Sequence, residues 1–206
     1  IGACIRATMV TGNLHSKQHT DALLQLAGLY IDAGHPQKAL EHLEEAKSST
    51  AATSMDKALY TRTEMKAKAM ILTPTALATY CQGGKLEVAK GGNRVLMLNL
   101  LSTMATAQAN AKQNIEALAT ENEVMKLAIA LDKPIEAGIC SNNMGELNLR
   151  LGHDQEALQA YGKGLIMVED IPLLRLSMLI NAANAQATSG NLETATRSVE
   201  AAERMA

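Results

Sequence analysis

The 206-residue sequence contains no phenylalanine, no tryptophan and only four tyrosines. Because β-sandwiches and β-barrels draw on aromatic and β-branched residues, this scarcity argues against an all-β fold. It also leaves little support for the base stacking by which proteins hold single-stranded nucleic acids. A net charge of −2 gives no basic face for nucleic acid or an anionic membrane. We therefore expect no direct nucleic-acid binding by this segment and no membrane binding.

Cysteine is scarce as well, with Cys4, Cys81 and Cys140 far apart in the chain. They form neither a disulfide framework nor a C-x-x-C metal pair, so we interpret them as small buried hydrophobes in a reducing compartment. A cytoplasmic location is the matching expectation. The sequence has no apolar run near the ~18 residues of a membrane span. It begins at Ile1 without a visible signal peptide and stops in helix-like sequence, and we expect it to be part of a longer protein.

Alanine, leucine and methionine are prominent, and they favour helices. Four similar segments of six residues recur and each closes on an alanine, and they indicate an internal repeat. The alanines are separated by 78, 40 and 38 residues, which indicates a period of about 39 with one blurred copy. The segments are GHPQKA (34–39), KQNIEA (112–117), GHDQEA (152–157) and GNLETA (190–195).

A small residue also lies seven positions before each of these segments, as Gly145 does in the third copy, which closes on Ala157. This pattern predicts two antiparallel helices that approach closely across a short turn, with Gly145 facing Ala157. Glycine at the turn avoids the Cβ penalty of a left-handed residue that ends the first helix. One residue departs from the pattern: Glu121 stands where the other copies have Leu43, Tyr161 and Val199.

These turns and small residues resemble the tetratricopeptide repeat (TPR) family, in an extended variant of about 38–40 residues instead of the usual 34. The resemblance implies an all-α, right-handed solenoid of antiparallel helical hairpins. All four prolines fall at proposed helix starts, whereas the pairs Gly83-Gly84 and Gly91-Gly92 are interpreted as helix breaks. We predict one solenoid over residues 1–206, with the end of a partial repeat at 1–13 and repeats at 17–50, 54–90, 93–132, 134–170 and 172–206.

Other kinds of site have little support in the sequence. The segment GGKLEVAKGG matches no phosphate-binding loop, and His15 and His19 have metal-ligand spacing without a third ligand. No arrangement of nucleophile and base can be assigned. We therefore expect no catalytic residues, no metal and no cofactor.

The resemblance also implies a binding surface, because TPR proteins use positions two, six, nine and thirteen of each first helix to line a concave groove. Asn at position six often contacts a bound peptide backbone in that family, and this carries over to Asn143 and Asn181, which we expect side by side. An amide suits a peptide backbone because it both donates and accepts hydrogen bonds. The four stripes are Asp21, Gln25, Gly28 and Asp32; Asn99, Thr103, Thr106 and Asn110; Ile139, Asn143, Glu146 and Arg150; and Ser177, Asn181, Asn184 and Thr188.

Function is accordingly expected to be non-enzymatic binding of a protein or peptide in the groove. Arg150 is the only basic residue of the four stripes, so we do not expect the family's basic clamp for chaperone tails. Two alternatives stay open: a ligand- or peptide-sensing domain of a bacterial regulator or signalling protein, and a response-regulator phosphatase acting through Gln25 or Glu146. The predicted peptide-binding residues are Asn99, Thr103, Asn110, Asn142, Asn143, Glu146, Arg150, Ser177, Asn181, Asn184 and Thr188.

Overall fold

In the computed structural model, residues 17–48 and 56–204 are described, and they form ten helices. The predicted partial repeat at 1–13 lies outside these residues. Successive helices pair as hairpins, so the fold is an all-α helical repeat. The helices are α1 (Lys17–Asp32), α2 (Pro36–Ser48), α3 (Lys57–Ile71), α4 (Pro74–Lys90), α5 (Arg94–Asn110), α6 (Asn114–Ala130), α7 (Pro134–Arg150), α8 (Asp154–Met167), α9 (Pro172–Thr188) and α10 (Leu192–Glu203).

The turns that join hairpin partners have one repeated geometry. Gly34, Gly152 and Gly190 have φ angles of 77°, 77° and 80°, as the sequence predicted. The residue after each glycine donates its N–H to a carbonyl five residues back, as in His153 to Asn148 at 2.8 Å. In the α5–α6 turn the same position is Lys112, with a φ of 62°. A lysine side chain there is strained, because its Cβ crowds the backbone.

Every proline in the sequence is the first residue of a helix, as predicted. These residues are Pro36, Pro74, Pro134 and Pro172. Asp56 and Thr73 cap α3 and α4 by accepting backbone N–H bonds from Leu59 and Ala76. Such caps satisfy N–H groups that a helix start leaves unpaired.

The expectation of a helix break at Gly83-Gly84 is wrong, because α4 continues through both residues to Lys90. Each glycine costs a helix up to about 1 kcal/mol, but α4 is anchored on both sides of the pair by buried Cys81 and Val88. The second pair does end the helix: Gly91 caps α4 and Gly92 is left-handed, with a φ of 66°.

Small residues make room for large ones between hairpin partners. A Cβ added to Gly145 on α7 would lie 2.6 Å from Cζ and 2.8 Å from Cδ1 of Tyr161 on α8. The missing side chain thus accommodates the Tyr161 ring, while the expected contact with Ala157 stays a prediction. Gly138 avoids a collision with Val168 in the same hairpin. The loss of volume at these glycines therefore permits an aromatic and an aliphatic side chain to fill the space between α7 and α8.

The same two positions of the repeat, one on each helix of a hairpin, are in side-chain contact in three hairpins. Tyr30 stacks on His42 with ring centroids 5.3 Å apart in α1–α2. In α5–α6 the hydroxyl of Thr120 donates to Oε1 of Gln108 at 2.7 Å, and in α9–α10 Ser198 donates to Gln186 at 2.9 Å. These positions recur at intervals of 78 residues, two repeats apart, so the sequence repeat is also a repeat of contacts.

The chain divides into two compact units, residues 1–103 and 104–206, with the boundary inside α5. In the first unit, buried Leu23, Leu24 and Leu43 form a core that Tyr30 and Tyr60 pack against. In the second unit, Tyr161 packs with Ala157, Ala182 and Ala185, so one buried aromatic ring joins the α7–α8 hairpin to α9.

Candidate functional site

The predicted binding residues all lie on the first helix of a hairpin. Asn99, Thr103 and Asn110 lie on α5, and the others lie on α7 or α9. Five of them are exposed, namely Asn110, Arg150, Ser177, Asn184 and Thr188; the other six are half-buried. Because six of these polar side chains are half-buried, they also pack against neighbouring residues. A helix face that served only as solvated surface would not need that packing.

Four of the predicted residues line one cavity in the second unit. This cavity has a volume of about 110 Å³ and lies between the C-terminal ends of α5 and α7. Helix α6 also contributes to the cavity, through Glu121. This is the residue that departs from the apolar pattern of the sequence repeat. The polar lining consists of Thr106, Asn110, Glu121, Asn143, Glu146 and Arg150.

Glu121 is buried, with only 2% of its surface exposed. Nδ2 of Asn143 donates a 2.8 Å hydrogen bond to Oε1 of Glu121, and the Cys140 thiol donates to the backbone carbonyl of Glu121 at 3.0 Å. Burial raises the pKa of Glu121 because it penalises the charged form, while the hydrogen bond from Asn143 to the carboxylate opposes that shift. Burial likewise raises the pKa of Cys140 well above its ordinary range, so this thiol is not a reactive thiolate.

Arg150 lies at the other side of the cavity. Its Nη2 is 3.4 Å from Oε2 of Glu146, one helical turn earlier, and its Nη1 donates to the carbonyl of Ala109 at 3.4 Å. The guanidinium is therefore held between α5 and α7. Both partners are exposed enough to be screened by solvent, so this ion pair fixes geometry more than it stabilises the fold.

Asn142 and Asn181 form the second amide contact of the stripe. Nδ2 of Asn181 on α9 donates to Oδ1 of Asn142 on α7 at 2.9 Å. The expected neighbours Asn143 and Asn181 thus each bond to a different residue: Asn143 turns to Glu121, and Asn181 turns to Asn142. Further along the same helix, the hydroxyls of Ser177 and Thr188 bond carbonyls of α9 itself.

In the first unit, Asn99 and Thr103 line a separate cavity of about 400 Å³ between α3 and α5. Its basic residues are Arg62 and Lys66, both exposed on α3. Sequence reasoning missed them because the third repeat is blurred. Counting back from Pro74, where the second helix of that repeat starts, would not have found them, because it places Leu59 and Thr63 at the positions that Asn99 and Thr103 occupy.

The stripe on α1 and the histidine pair do not come together in a site within the described residues. Gln25 and Asp32 are exposed on α1, while Asp21 and Gly28 are half-buried. His19 is buried with Nε2 3.5 Å from Oε1 of Glu45, and His15, which has metal-ligand spacing from it, lies outside the described residues. Within residues 17–48 and 56–204, no group of three His, Cys, Asp or Glu side chains is placed to hold a metal ion. In the same part of the chain, no helix is both long enough and apolar enough to cross a bilayer.

Comparison with known proteins places the fold. No protein-family model and no curated protein sequence matches the chain. Among solved structures, BtubC (BKLC) from P. vanneervenii is similar with a TM-score of 0.82 and 15% identity, over 99% of this chain and 88% of that one. A signal-transduction ATPase with a tetratricopeptide-repeat sensor from Pyrococcus horikoshii gives 0.76 and 17%, over 92% of this chain and 30% of the ATPase.

A Rap protein in complex with Competence and Sporulation Factor is also similar, with a TM-score of 0.69 and 12% identity. The match covers 96% of this chain and 56% of the Rap protein. At such identities the likeness concerns the fold, and it establishes that this chain is a TPR-like helical repeat.

Proposed function

We propose that the chain binds a protein or peptide along the polar stripe of α5, α7 and α9, as a non-enzymatic scaffold within a larger protein. The observation that carries this proposal is the convergence of Asn110, Asn143, Glu146 and Arg150 on one cavity. Concave sites with a few convergent polar groups are the usual places where proteins bind ligands. A helix face that served only solubility would have no reason to build such a site.

The chemistry of the stripe suits an extended peptide. Asn110 and Asn184 are exposed, and each amide offers donors and an acceptor to a peptide backbone. Exposed aliphatic side chains lie on the same helices, with Ile139 on α7 43% exposed and Ile180 on α9 48% exposed. A partner with alternating polar and apolar groups would satisfy both kinds of residue.

The extended repeat and the single solenoid over residues 1–206 belong to the same proposal. The starts of α5, α7 and α9 at Arg94, Pro134 and Pro172 are 40 and 38 residues apart, which supports a unit longer than 34 residues.

A second candidate is a sensing module whose packing tightens on a ligand and controls an attached domain. The fold likeness to the tetratricopeptide-repeat sensor and to the Rap protein bound to its factor favours it. Hydrogen exchange separates the two candidates. A scaffold should gain protection on the stripe helices alone, whereas a sensor should gain protection on the second helices as well.

The test is selection of a random peptide library on the immobilised chain, followed by nuclear magnetic resonance mapping of an enriched peptide. The proposal predicts perturbed amide resonances on α5, α7 and α9. Perturbations confined to the exposed faces of α6, α8 and α10 would reject the stripe as the binding surface.

A further inference from the structure

The cavity between α5 and α7 has an unbalanced charge. Two carboxylates, Glu121 and Glu146, line it together with one guanidinium, Arg150. Arg150 is committed to Glu146 and to the carbonyl of Ala109, each at 3.4 Å. Within the described residues, no lysine, arginine or histidine forms an ion pair with Glu121. The buried carboxylate therefore faces the cavity without a cationic partner.

Glu121 is also incompletely satisfied as a hydrogen-bond acceptor. A carboxylate has about four acceptor positions, and the Asn143 amide occupies one of them at Oε1. A carboxylate that is 2% exposed pays a large desolvation cost, which protonation relieves in the free chain and a nearby positive charge would relieve in a complex. The fold does not require a carboxylate at this position of the repeat, because Tyr161 occupies the equivalent position in the next hairpin and is also buried.

From this geometry we infer that the cavity takes a primary ammonium group of the bound partner, from a lysine side chain or a peptide amino terminus. The inference rests on the proposed function, because it names the chemistry recognised at that site. A compact ammonium donates three hydrogen bonds, and Glu121, Glu146 and Asn110, which line the cavity, each carry side-chain acceptor oxygens. A cavity of about 110 Å³ has room for the ammonium and its adjoining methylene groups.

Binding of an ammonium changes the state of Glu121 in a defined direction. The positive charge favours the ionised carboxylate and so opposes the effect of burial on the pKa of Glu121. Binding should consequently release a proton where the free carboxyl is partly protonated, and affinity should rise with pH across that range. The polar groups around this carboxyl come from two helices. They are Thr106 and Asn110 on α5, and Cys140, Asn143, Glu146 and Arg150 on α7.

The experiment is a titration of the ¹⁵N-labelled chain with capped tripeptides, followed at the Asn143 side-chain amide. The probes are acetyl-Gly-Lys-Gly-amide, its uncharged norleucine analogue, and the arginine and glutamate analogues. Gly-Gly-Gly-amide with and without an acetyl group distinguishes an amino terminus from a lysine side chain. Glu121→Gln is compared with Glu116→Gln, an exposed carboxylate on the same helix.

We expect saturable shifts with the lysine peptide or with Gly-Gly-Gly-amide, and none with the norleucine peptide, the glutamate peptide or acetyl-Gly-Gly-Gly-amide. Glu121→Gln should weaken the binding about tenfold, because a charge-assisted bond is lost, and Glu116→Gln should not. Equal shifts from the lysine and norleucine peptides would overturn the inference on the wild-type chain alone. A response to the glutamate peptide would also overturn it, since Arg150 would then be the recognised charge.

The proposed function and this inference fail in different ways. If library peptides bind through the stripe but their affinity does not depend on a lysine side chain or a free amino terminus, only the ammonium site is rejected. If the ammonium probes titrate Asn143 but no library peptide maps to the stripe, the cavity is retained and the wider peptide surface is rejected.

Discussion

Nδ2 of Asn143 on α7 donates to Oε1 of Glu121 on α6 over 2.8 Å, and this bond ties a residue of the proposed binding stripe to a buried carboxylate. The two residues are 22 positions apart and belong to neighbouring hairpins. Asn143 therefore satisfies a group that the fold has removed from water, in addition to its proposed role of presenting an amide to a partner. Its replacement by alanine would disturb stability and binding together.

The first prediction concerns the pH dependence of stability. Because burial raises the pKa of Glu121, the folded chain holds this proton more tightly than the unfolded chain, whose carboxyl has the ordinary value of 4.5. The contribution of Glu121 to stability should therefore fall as pH rises above 4.5 and through the raised value. Glu121→Gln removes the titrating group, so its stability relative to wild type should increase with pH.

Urea unfolding of both proteins from pH 4.5 to 8 measures this difference, with Glu116→Gln as the exposed control on the same helix. A difference between wild type and Glu121→Gln that did not change with pH would show that the folded structure leaves the Glu121 proton unaffected.

The second prediction concerns the close contact between α7 and α8. A Cβ at Gly145 would enter the Tyr161 ring, so Gly145→Ala should lower the free energy of unfolding by about 1–3 kcal/mol. Gly162→Ala is the matched control, because that glycine is exposed on α8 and has no atom within 4 Å of the added Cβ. It should raise stability by up to about 1 kcal/mol through helix propensity. Thermal melts that showed equal gains for both variants would reject the packing explanation.

The third prediction concerns the α5–α6 turn, where Lys112 has a φ of 62° in place of the glycine found in three other turns. Relief of the left-handed strain should outweigh the extra unfolded-state entropy of glycine, so Lys112→Gly should stabilise the chain by about 0.5–1 kcal/mol. The reciprocal change Gly152→Lys should destabilise it by a similar amount. Chemical unfolding of the two variants checks the pair, and a loss of stability for Lys112→Gly would contradict the account of this turn.

The sequence predicted the hairpins well because turns and close contacts depend on local chemistry. Gly152 and Pro134 act through their own backbone, whatever the tertiary surroundings. Partners of the stripe residues were harder to predict. Asn143 and Asn181 hold the same position in α7 and α9, nine residues after Pro134 and Pro172. A period aligns such positions but does not fix which side chains of neighbouring helices meet, and Asn181 bonds to Asn142 instead.

Glu121 shows the complementary lesson. In the repeat alignment it was a charged residue at an apolar position, and such a local conflict is typical of functional sites. The conflict located the residue but not its role, because the role depends on Asn143, Glu146 and Arg150 meeting it from another hairpin. Contacts of that kind follow from three-dimensional packing, which the period alone does not contain.

The most direct test of the central claim is the affinity of a library-selected peptide for Asn110→Ala/Arg150→Ala, measured by calorimetry beside a thermal melt. Both residues line the cavity and are exposed, so their loss should leave the fold intact. The control is Asn122→Ala/Lys126→Ala, two exposed residues of α6 that do not line the cavity. We predict binding at least about tenfold weaker for the first variant and unchanged for the control, with equal melting temperatures. Wild-type affinity in Asn110→Ala/Arg150→Ala would contradict peptide binding by this stripe.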